Sequence, residues 1–333
     1  MRAALVTRFG DPEVFELTEL PDPAPAAGEI AIDVSHAAVG LIDVFLRQGL
    51  MKDRPGLPQP PYVPGLEVAG TVRAVGPGVS GFRVGEPVVT LAGSGPTGGY
   101  ASIAVVAAVH AISLDGTGID PALAVAAVPN AVIAHLALTQ AGDFKPSESL
   151  LVHGAYGGLA SAFPGMARLL GAAAVVGTSR GAPAASDATP ASAGEAHGLP
   201  YDQVVPSDFV PALDGQLFDV MIDPVGGQLR TDSLQVMAPM GRMILVGNGS
   251  DDWAHTVPTN ELWLKNLALR GFNAGLYLST RQDEIPAAAA EALRAVQEGL
   301  LPLRTHTLPL ADAAEAHRRL EKGGVGGRLL LTP

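Results

Sequence analysis

The sequence contains no cysteine at any of its 333 positions. This absence excludes disulfide bonds, a thiolate nucleophile and any zinc site built on sulfur ligands. Basic residues are also few: 21 Lys and Arg stand against 33 Asp and Glu, which gives a formal net charge of −12. A surface of that sign repels phosphate backbones and anionic lipid headgroups, so we expect neither nucleic acid nor membrane partners.

Two kinds of apolar segment are missing as well. The N-terminus turns polar at Thr7 and Arg8, too early for the apolar core of a signal peptide. No uninterrupted apolar run reaches the roughly 20 residues that span a bilayer. We therefore expect a cytoplasmic protein.

The length and the 47% share of hydrophobic residues are sufficient for two domains of ordinary size. Residues 1–120 are rich in Pro and Gly and carry short β-type runs, which predicts a mostly antiparallel β domain. From about residue 121, helical stretches alternate with apolar strands, which predicts βαβ units on a parallel sheet. The strands predicted in this part are 149–153, 174–178, 204–205, 220–223 and 243–247. In the last segment, helices are predicted at 285–298 and 310–322 and a final strand at 328–332. Residues 181–198 are dominated by Ala, Pro, Ser and Gly, so no full helix is expected there.

The most informative segment is residues 150–160, LLVHGAYGGLA. An apolar strand runs here into a turn of small residues and then into a helical stretch. Glycines let backbone N–H groups approach a pyrophosphate at a helix N-terminus, where the helix dipole favours negative charge. The alternative is a tight strand-to-helix turn without a ligand, but the following strand provides the βαβ context of a dinucleotide site. The predicted cofactor contacts in this turn are Gly154, Tyr156, Gly157, Gly158 and Leu159.

The second strand of this unit ends in Thr178, Ser179 and Arg180, with no acidic residue. A site for NAD carries Asp or Glu at this place to bind the ribose hydroxyls, whereas a site for NADP replaces it with a cation. Arg180 can pair with a 2′-phosphate through its planar guanidinium. Ser179 and Arg180 therefore predict NADPH as the cofactor, the alternative being that Arg180 is a solvated turn residue.

Motifs spread over nearly the whole chain carry a family resemblance. They are Asp43 with 47–49 (RQG), 64–70 (PGLEVAG), 75–85, 98–101 (GGYA), 128–129 (VP), the glycine turn, 219–227, 241–248 and 327–331 (GRLLL). With these motifs the chain resembles the zinc-independent quinone oxidoreductase and enoyl reductase branch of the medium-chain dehydrogenase/reductase superfamily. Zinc-dependent relatives carry Gly-His-Glu where this chain has Gly65, Leu66 and Glu67, so the resemblance implies no metal site.

The resemblance also implies an α/β architecture of two domains. A GroES-like, mostly antiparallel β catalytic domain would comprise 1–122 and 273–333, and a doubly wound parallel-sheet Rossmann domain 123–272. The substrate would lie in the cleft, and the protein would be a homodimer joined through edge strands of the nucleotide domains. Further cofactor contacts implied in this way are Gly247 and Asn248 on the nicotinamide side, and Arg328.

The departures from the family bear on the substrate site. Relatives place an Asn, an aromatic or Tyr side chain and a Thr near the nicotinamide, where this chain has Gly40, Leu41 with Phe45, and Ala134. These four residues are the expected substrate pocket, and three polar contacts are missing from it.

Two side chains are candidates for proton transfer. Tyr62 could present its phenol to the substrate or be a hydrogen-bonded core tyrosine. His135 could point into the cleft or pack beside Leu136. His153 is expected to be a buried structural histidine, and Asp43 is expected to pair with Arg47.

The leading hypothesis is hydride transfer from NADPH to a quinone or to the β-carbon of an α,β-unsaturated carbonyl. The second hypothesis is an NADPH-binding protein of the same fold with little redox activity, in a scaffold, binding or non-redox cyclising role. The missing polar residues at 40, 45 and 134 motivate this second hypothesis.

Overall fold

The computed structural model describes residues 1–91, 98–180 and 198–333. They form two compact units, Met1–Pro129 with Arg304–Pro333, and Asn130–Leu303. The expected bounds placed residues 273–303 in the first unit, whereas the structure places them in the second. The reason is close packing against the helix that contains Gly165, in the second unit. Leu300 approaches this helix so closely that a Cβ at Gly165 would lie 2.4 Å from the carbonyl oxygen of Leu300.

The first unit is built on antiparallel strands. A two-stranded sheet pairs β1 with β2, and a larger sheet has the order β14-β15-β3-β4-β5-β7, with β6 also paired to β3. All these pairs are antiparallel except β14 with β15. The strands are β1 Arg2–Val6, β2 Phe15–Glu19, β3 Glu29–Ala38, β4 Val68–Val75, β5 Pro87–Thr90, β6 Ile103–Ala107, β7 Ala111–Ser113, β14 Thr305–Pro309 and β15 Arg328–Thr332.

Alternation of side chains explains why these segments form strands around one core. In β4, Val72 is buried between the exposed Thr71 and Arg73, the pattern of a strand with one face on a core. Central β15 is buried along most of its length, with Leu329 and Leu331 in the same cluster as Val72.

Short helices complete the first unit. They are the 3₁₀ turns Pro12–Val14, Ala108–His110 and Leu310–Asp312, and the α-helices α1 Leu41–Gln48 and α9 Ala313–Lys322. A helix predicted at 310–322 therefore begins as a 3₁₀ turn.

The helix α2, Pro121–Leu136, crosses the boundary between the units and continues as a π-helical turn, Ala137–Ala141. Taken together, Pro121–Ala141 is long and apolar enough to meet the length and composition test for a membrane span, with mean hydropathy 1.8. Asn130 and His135 interrupt its apolar residues, so the sequence does not predict it as an uninterrupted apolar run. Since 78% of the apolar window is buried inside the protein, it has the character of a core helix, and one such helix is weak evidence for a membrane.

The second unit contains a six-stranded, fully parallel sheet with the order β10-β9-β8-β11-β12-β13. Central β8 is buried through Leu150, Leu151 and Val152, as expected for a strand covered on both faces. The strands are β8 Ser149–Val152, β9 Ala174–Ser179, β10 Gln203–Pro206, β11 Phe218–Asp223, β12 Met237–Leu245 and β13 Ala268–Gly271. The helices are a 3₁₀ turn Ala160–Ala162, α3 Phe163–Leu169, α4 Phe209–Ala212, α5 Gln228–Ser233, α6 Thr259–Lys265, α7 Ala274–Thr280, a 3₁₀ turn Gln282–Glu284, and α8 Ile285–Gln297.

The predicted α/β class, with a mostly antiparallel first part and a parallel-sheet second part, is confirmed. All five strands predicted from the βαβ pattern are present, while β13 and β14 were not foreseen. Of the segment 181–198, where the sequence favours no full helix, residues 181–197 lie outside the described chain.

Candidate active site

The predicted dinucleotide turn follows β8 at the carboxyl edge of the parallel sheet. The N–H of His153 donates to the carbonyl of Ile222 at 3.0 Å, and the N–H of Gly157 donates to the carbonyl of Gly154 at 2.7 Å. Gly154 has a φ of +65°, and a Cβ there would lie 3.3 Å from Val225 Cγ2. This position therefore needs glycine both for its backbone conformation and for space.

Side chains hold the turn through its carbonyl groups. Asn130 Nδ2 donates to the carbonyl of Gly158 at 2.9 Å, and the phenol of Tyr201 donates to the carbonyl of Ala155 at 3.1 Å. In the part of the chain that the structure describes, no acceptor receives the backbone N–H of Gly158 or of Leu159. Because the carbonyls are already paired and these two N–H groups are not, the turn has the donor set that a phosphate requires.

At the end of β9, Arg180 is exposed and Ser179 half-buried. Arg180 forms no ion pair with any described residue, whereas Arg230 and Arg242 of the same unit pair with Asp223 and Glu148. Among the described residues, the charge of Arg180 is therefore not neutralised by an acidic side chain, and Arg180 lies at the strand end next to the glycine turn. Tyr156, within the turn, is half-buried, and burial raises the pKa of its phenol.

His153 is a buried, hydrogen-bonded histidine, as the sequence predicts. Its Nδ1 lies 3.1 Å from Thr178 Oγ1 and its Nε2 lies 2.8 Å from Ser233 Oγ. Because the hydroxyl of Ser233 donates to the carbonyl of Leu229, His153 Nε2 must carry the proton and donate to Ser233. Burial lowers the pKa of His153 to about 4, so the ring is neutral at pH 7 and serves the structure.

A second group of residues lies at the ends of the neighbouring strands β11 and β12. Buried Asp223 accepts the backbone N–H of Gly226 at 2.7 Å and the Nε of Arg230 at 2.7 Å. Gly226, with φ +77°, leaves room for Asn248, because a Cβ there would lie 2.1 Å from Asn248 Oδ1. Asn248 Nδ2 is buried and has no hydrogen-bond partner among the described residues. Gly247, which precedes Asn248, is exposed. Asn248 follows β12, so its Nδ2 donor lies at the same carboxyl edge of the parallel sheet as the glycine turn after β8.

The roles of Asp223 and Arg230 were missed in the sequence analysis, which treated Asp223 only as part of a motif. A carboxylate that ends an otherwise apolar strand was the available signal, since such a residue must find donors nearby. No local pattern marks Arg230 as its partner.

His135 lies in the last turn of α2, next to the fully buried Ala134. His135 Nδ1 is buried and has no hydrogen-bond partner within the described chain. Burial lowers the pKa of His135, and the charge of Glu291 partly opposes this effect. The histidine is therefore neutral near pH 7 and has one ring nitrogen available to a ligand.

In the first unit, Tyr62 lies beside β1. Its backbone N–H donates to the carbonyl of Val6, and its carbonyl accepts the N–H of Val6. Its side chain is buried with Val14 and Leu46, yet its phenolic oxygen has no partner in the described residues. Burial and the neighbouring Asp43 raise the pKa of this phenol. Tyr62 therefore keeps its proton and remains an unused donor.

The predicted pocket residues of the first unit lie at the start of α1. Gly40 directly precedes the helix, and Leu41 and Phe45 lie four residues apart, which places them on one face. Leu41 is exposed and Phe45 half-buried, so this face presents apolar groups.

Arg328, on β15, is engaged in an ion pair. Its Nη2 lies 2.6 Å from Glu67 Oε2, and both side chains are largely buried. Burial raises the pKa of Glu67, and the charge of Arg328 opposes this. The Nε of Arg328 is buried without a partner in the described chain, so one donor of this predicted cofactor residue stays unused.

The expected pair of Asp43 with Arg47 is not formed. Arg47 donates to the carbonyl of Gly10 at 2.6 Å and makes an ion pair with Glu321. Asp43 instead accepts backbone N–H groups, including that of Gly40 at 2.9 Å. The reason is that Arg47, one turn further along α1, reaches α9, which the spacing in sequence could not indicate.

Two further observations concern possible metal ligands and a cavity. Across residues 1–91, 98–180 and 198–333, no cluster of three or more His, Asp or Glu residues is arranged to hold a metal ion. A cavity of about 680 Å³ lies at the carboxyl end of β13 beside α7, and none of the residues predicted from the sequence lines it. Its walls include Gln140, Arg270, Phe272, Asn273, Tyr277 and Arg281.

Taken together, the parallel-sheet unit with its glycine turn and the antiparallel β unit define a two-domain α/β oxidoreductase with a GroES-like and a Rossmann part. Comparison with known proteins agrees. Residues 26–116 match the family described as an alcohol dehydrogenase GroES-like domain, and residues 199–331 match the family described as a zinc-binding dehydrogenase.

The chain is 31% identical to a quinone oxidoreductase of Lama guanicoe, over 99% of this chain and 97% of that protein. It is 28% identical to a synaptic vesicle membrane protein VAT-1 homolog of Danio rerio, over 99% of this chain and 70% of that protein. The crystal structure of Escherichia coli quinone oxidoreductase complexed with NADPH superimposes with a TM-score of 0.85 at 27% identity and covers all of both chains. The chain belongs to the medium-chain dehydrogenase/reductase superfamily, in its zinc-independent quinone oxidoreductase branch.

Proposed function

We propose that the protein is an NADPH-dependent reductase that transfers hydride to a quinone or to an α,β-unsaturated carbonyl compound. The proposal rests on two features of the described residues: the backbone N–H groups of Gly158 and Leu159 have no acceptor among them, and Arg180, directly after β9, has no ion-pair partner among them. This is the donor set for a pyrophosphate and a 2′-phosphate. The structural relative that binds NADPH supports the same cofactor.

Each residue has a separate task in this proposal. Gly154 and Gly157 keep the turn open so that the N–H groups of Gly158 and Leu159 bind the pyrophosphate. Arg180 pairs with the 2′-phosphate, and Asn248 uses its free Nδ2 as a donor on the nicotinamide side. NADPH, when bound, supplies the hydride.

The protein's own groups handle the proton. Hydride addition leaves negative charge on the acceptor oxygen, and a neutral donor completes the reduction. Tyr62 keeps its phenolic proton, and no described residue forms a hydrogen bond with its phenolic oxygen. His135 is neutral and offers the second candidate site. We assign the protonation to one of these two side chains or to water.

The apolar character of the predicted pocket favours an apolar acceptor. Gly40, Leu41 and Phe45 of the first unit offer no side-chain hydrogen bond, so this part of the predicted pocket selects by shape and by the hydrophobic surface that it covers. Ala134 of the second unit has no polar side-chain group either. A quinone and an enone both satisfy this requirement, and the experiment must therefore include both.

The test uses NADPH that carries deuterium at the transferring C4 position, mixed with a panel of quinones and enones. We expect deuterium in a product, detected by mass spectrometry, and its loss in Gly157→Val, whose side chain blocks the approach to the turn. A Cβ at Gly157 already lies 3.1 Å from the carbonyl oxygen of Gly154. Tight NADPH binding without labelled product from any acceptor would overturn the proposal and favour the second hypothesis, a binding protein with little redox activity.

We also propose a homodimer in the cytoplasm. The strand β13 lies at the edge of the described parallel sheet, with its outer hydrogen-bonding groups available to a second copy. Large apolar side chains nearby in the same unit are exposed, among them Trp263 at 75% and Leu276 at 64%. An edge strand flanked by exposed apolar groups is typical of a surface that is covered on association.

A further inference from the structure

A directed chain of buried hydrogen bonds runs through the first unit. Arg47 Nε donates to His317 Nδ1 at 3.2 Å, so the neutral ring carries its proton on Nε2. His317 Nε2 lies 3.2 Å from the phenolic oxygen of Tyr100, which in turn donates to Asp43 Oδ2 at 3.3 Å. All four side chains are buried. Every donor in this series of hydrogen bonds points towards Asp43. A carboxylate, which only accepts hydrogen bonds, satisfies this arrangement, whereas a carboxylic acid would add a donor of its own.

Asp43 uses its remaining acceptor positions on the backbone. Its Oδ2 accepts the N–H of Gly40 at 2.9 Å, and its Oδ1 accepts the N–H of Gly65 at 3.2 Å. A Cβ at residue 40 would lie 3.3 Å from that same Oδ2. The carboxylate therefore ties the start of α1, with the pocket residues Leu41 and Phe45, to the turn at Gly65.

The charged and titratable neighbours of Asp43 come from several segments. Tyr62 and Glu67 belong to the segment that precedes β4; the charge of Glu67 acts on Asp43, and the charge of Asp43 acts on Tyr62. Tyr100 faces Asp43 from the turn at 98–101. His317 of α9 stands behind Tyr100 and stays neutral, because burial lowers its pKa to about 3. Arg328 forms an ion pair with Glu67, and its positive charge also lowers the pKa of Tyr100, against the effect of burial.

We propose that Asp43 is a positioning residue whose ionised carboxylate holds the Gly40 wall of the substrate pocket and so makes substrate binding dependent on pH. The substrate-binding part rests on the proposed function. When Asp43 is protonated, one of its oxygens becomes a donor facing N–H and O–H groups. The ties to Gly40 and Gly65 then weaken, and the start of α1 is no longer fixed.

The expected pH range is the neutral one. Burial raises the pKa of Asp43 to about 7, and the charge of Glu67 acts in the same direction, while the N–H groups of Gly40 and Gly65 and the phenol of Tyr100 oppose it. If only the ionised form binds substrate well, the fraction of competent protein falls about tenfold from pH 8 to pH 6. The KM for the acceptor should rise by about this factor while kcat changes little.

The experiment has a structural and a kinetic readout. In the unmodified protein we expect the carboxyl carbon of Asp43 and the amide signals of Gly40 and Gly65 to titrate together in NMR spectra. Amide signals that do not follow the carboxyl would overturn the proposal. This readout needs no turnover, so a protein that lacks reductase activity would refute the proposed function and leave this test intact.

For the kinetic readout, Asp43→Asn mimics the protonated state. Its KM at pH 8 should be at least as high as that of the unmodified protein at pH 6 and should not vary with pH. The matched control is Asp53→Asn, an exposed aspartate of the same unit, which should keep the original profile. If Asp43→Asn does not fold, Tyr100→Phe removes one donor to the carboxylate and should move the midpoint of the KM profile to higher pH. A KM profile that is flat in the unmodified protein, or unmoved in the folded variants, would overturn the positioning role.

Discussion

The proposed function assigns the discrimination between NADPH and NADH to Arg180, and the removal of this side chain provides the sharpest test of the cofactor site. Arg180 is exposed and has no ion pair with any described residue, so Arg180→Ala leaves no unpaired carboxylate behind. A charge-assisted hydrogen bond contributes about 1.5–3 kcal/mol. Its loss should weaken NADPH binding by about ten- to 150-fold. NADH has no 2′-phosphate and should be affected only through lost contact with the adenine.

The assay is titration of each cofactor, followed by nicotinamide fluorescence at low ionic strength. The quantity of interest is the ratio of the two dissociation constants, because a general disturbance of the fold cancels in it. Since the contact is exposed, the ratio should also shrink as salt is added. Arg294→Ala, which removes the same charge from an exposed position on α8, is the control and should leave the ratio unchanged. Equal weakening of NADPH and NADH by Arg180→Ala would refute the assignment of the 2′-phosphate to this residue.

Three further predictions concern other parts of the protein. Gly226→Ala should weaken cofactor binding at least tenfold in the same titration, because the added Cβ would lie 2.1 Å from Asn248 Oδ1. The control is Gly215→Ala, which has a similar φ and no atom within 4 Å of the added Cβ, and it should leave cofactor binding unchanged. For His153, the pKa of about 4 lies below its usual 6.5, so as pH drops from 6.5 to 4 this ring alone should lower the free energy of unfolding by about 1.4 kcal/mol per pH unit, and His317 should add a similar share. Urea unfolding at several pH values and the NMR titration of this ring check it, and a ring that titrates near 6.5 contradicts it. Trp263→Glu should lower the molar mass measured by light scattering towards that of one chain; an unchanged dimer would place the interface elsewhere.

The sequence predicted best those features that short segments determine. The glycine turn after β8 could be located because an apolar run, small residues and a helical stretch follow one another within about a dozen positions. The last strand was predicted at 328–332, where β15 lies. Its continuous run of apolar residues is typical of a strand buried on both faces.

The features that escaped prediction depend on partners far apart in the chain. Asp43 and Arg47 are one helical turn apart, and the sequence suggested a pair, but Arg47 finds His317 and Glu321 on α9. Similarly, the placement of residues 273–303 follows from the contact between Gly165 and Leu300, about 135 positions apart. No local periodicity encodes such contacts, because they arise only when the units fold.

The turn at Gly65 has a consequence for protein engineering. With φ +101°, a Cβ at this position would lie 2.5 Å from Tyr100 Cδ1 and 2.8 Å from the backbone nitrogen of Tyr100. The obstruction comes partly from main chain, so trimming the tyrosine cannot relieve it. A library that randomises residue 65 should return glycine alone even when position 100 is varied with it. Variation aimed at the proposed acceptor pocket is therefore better directed at Leu41 and Phe45.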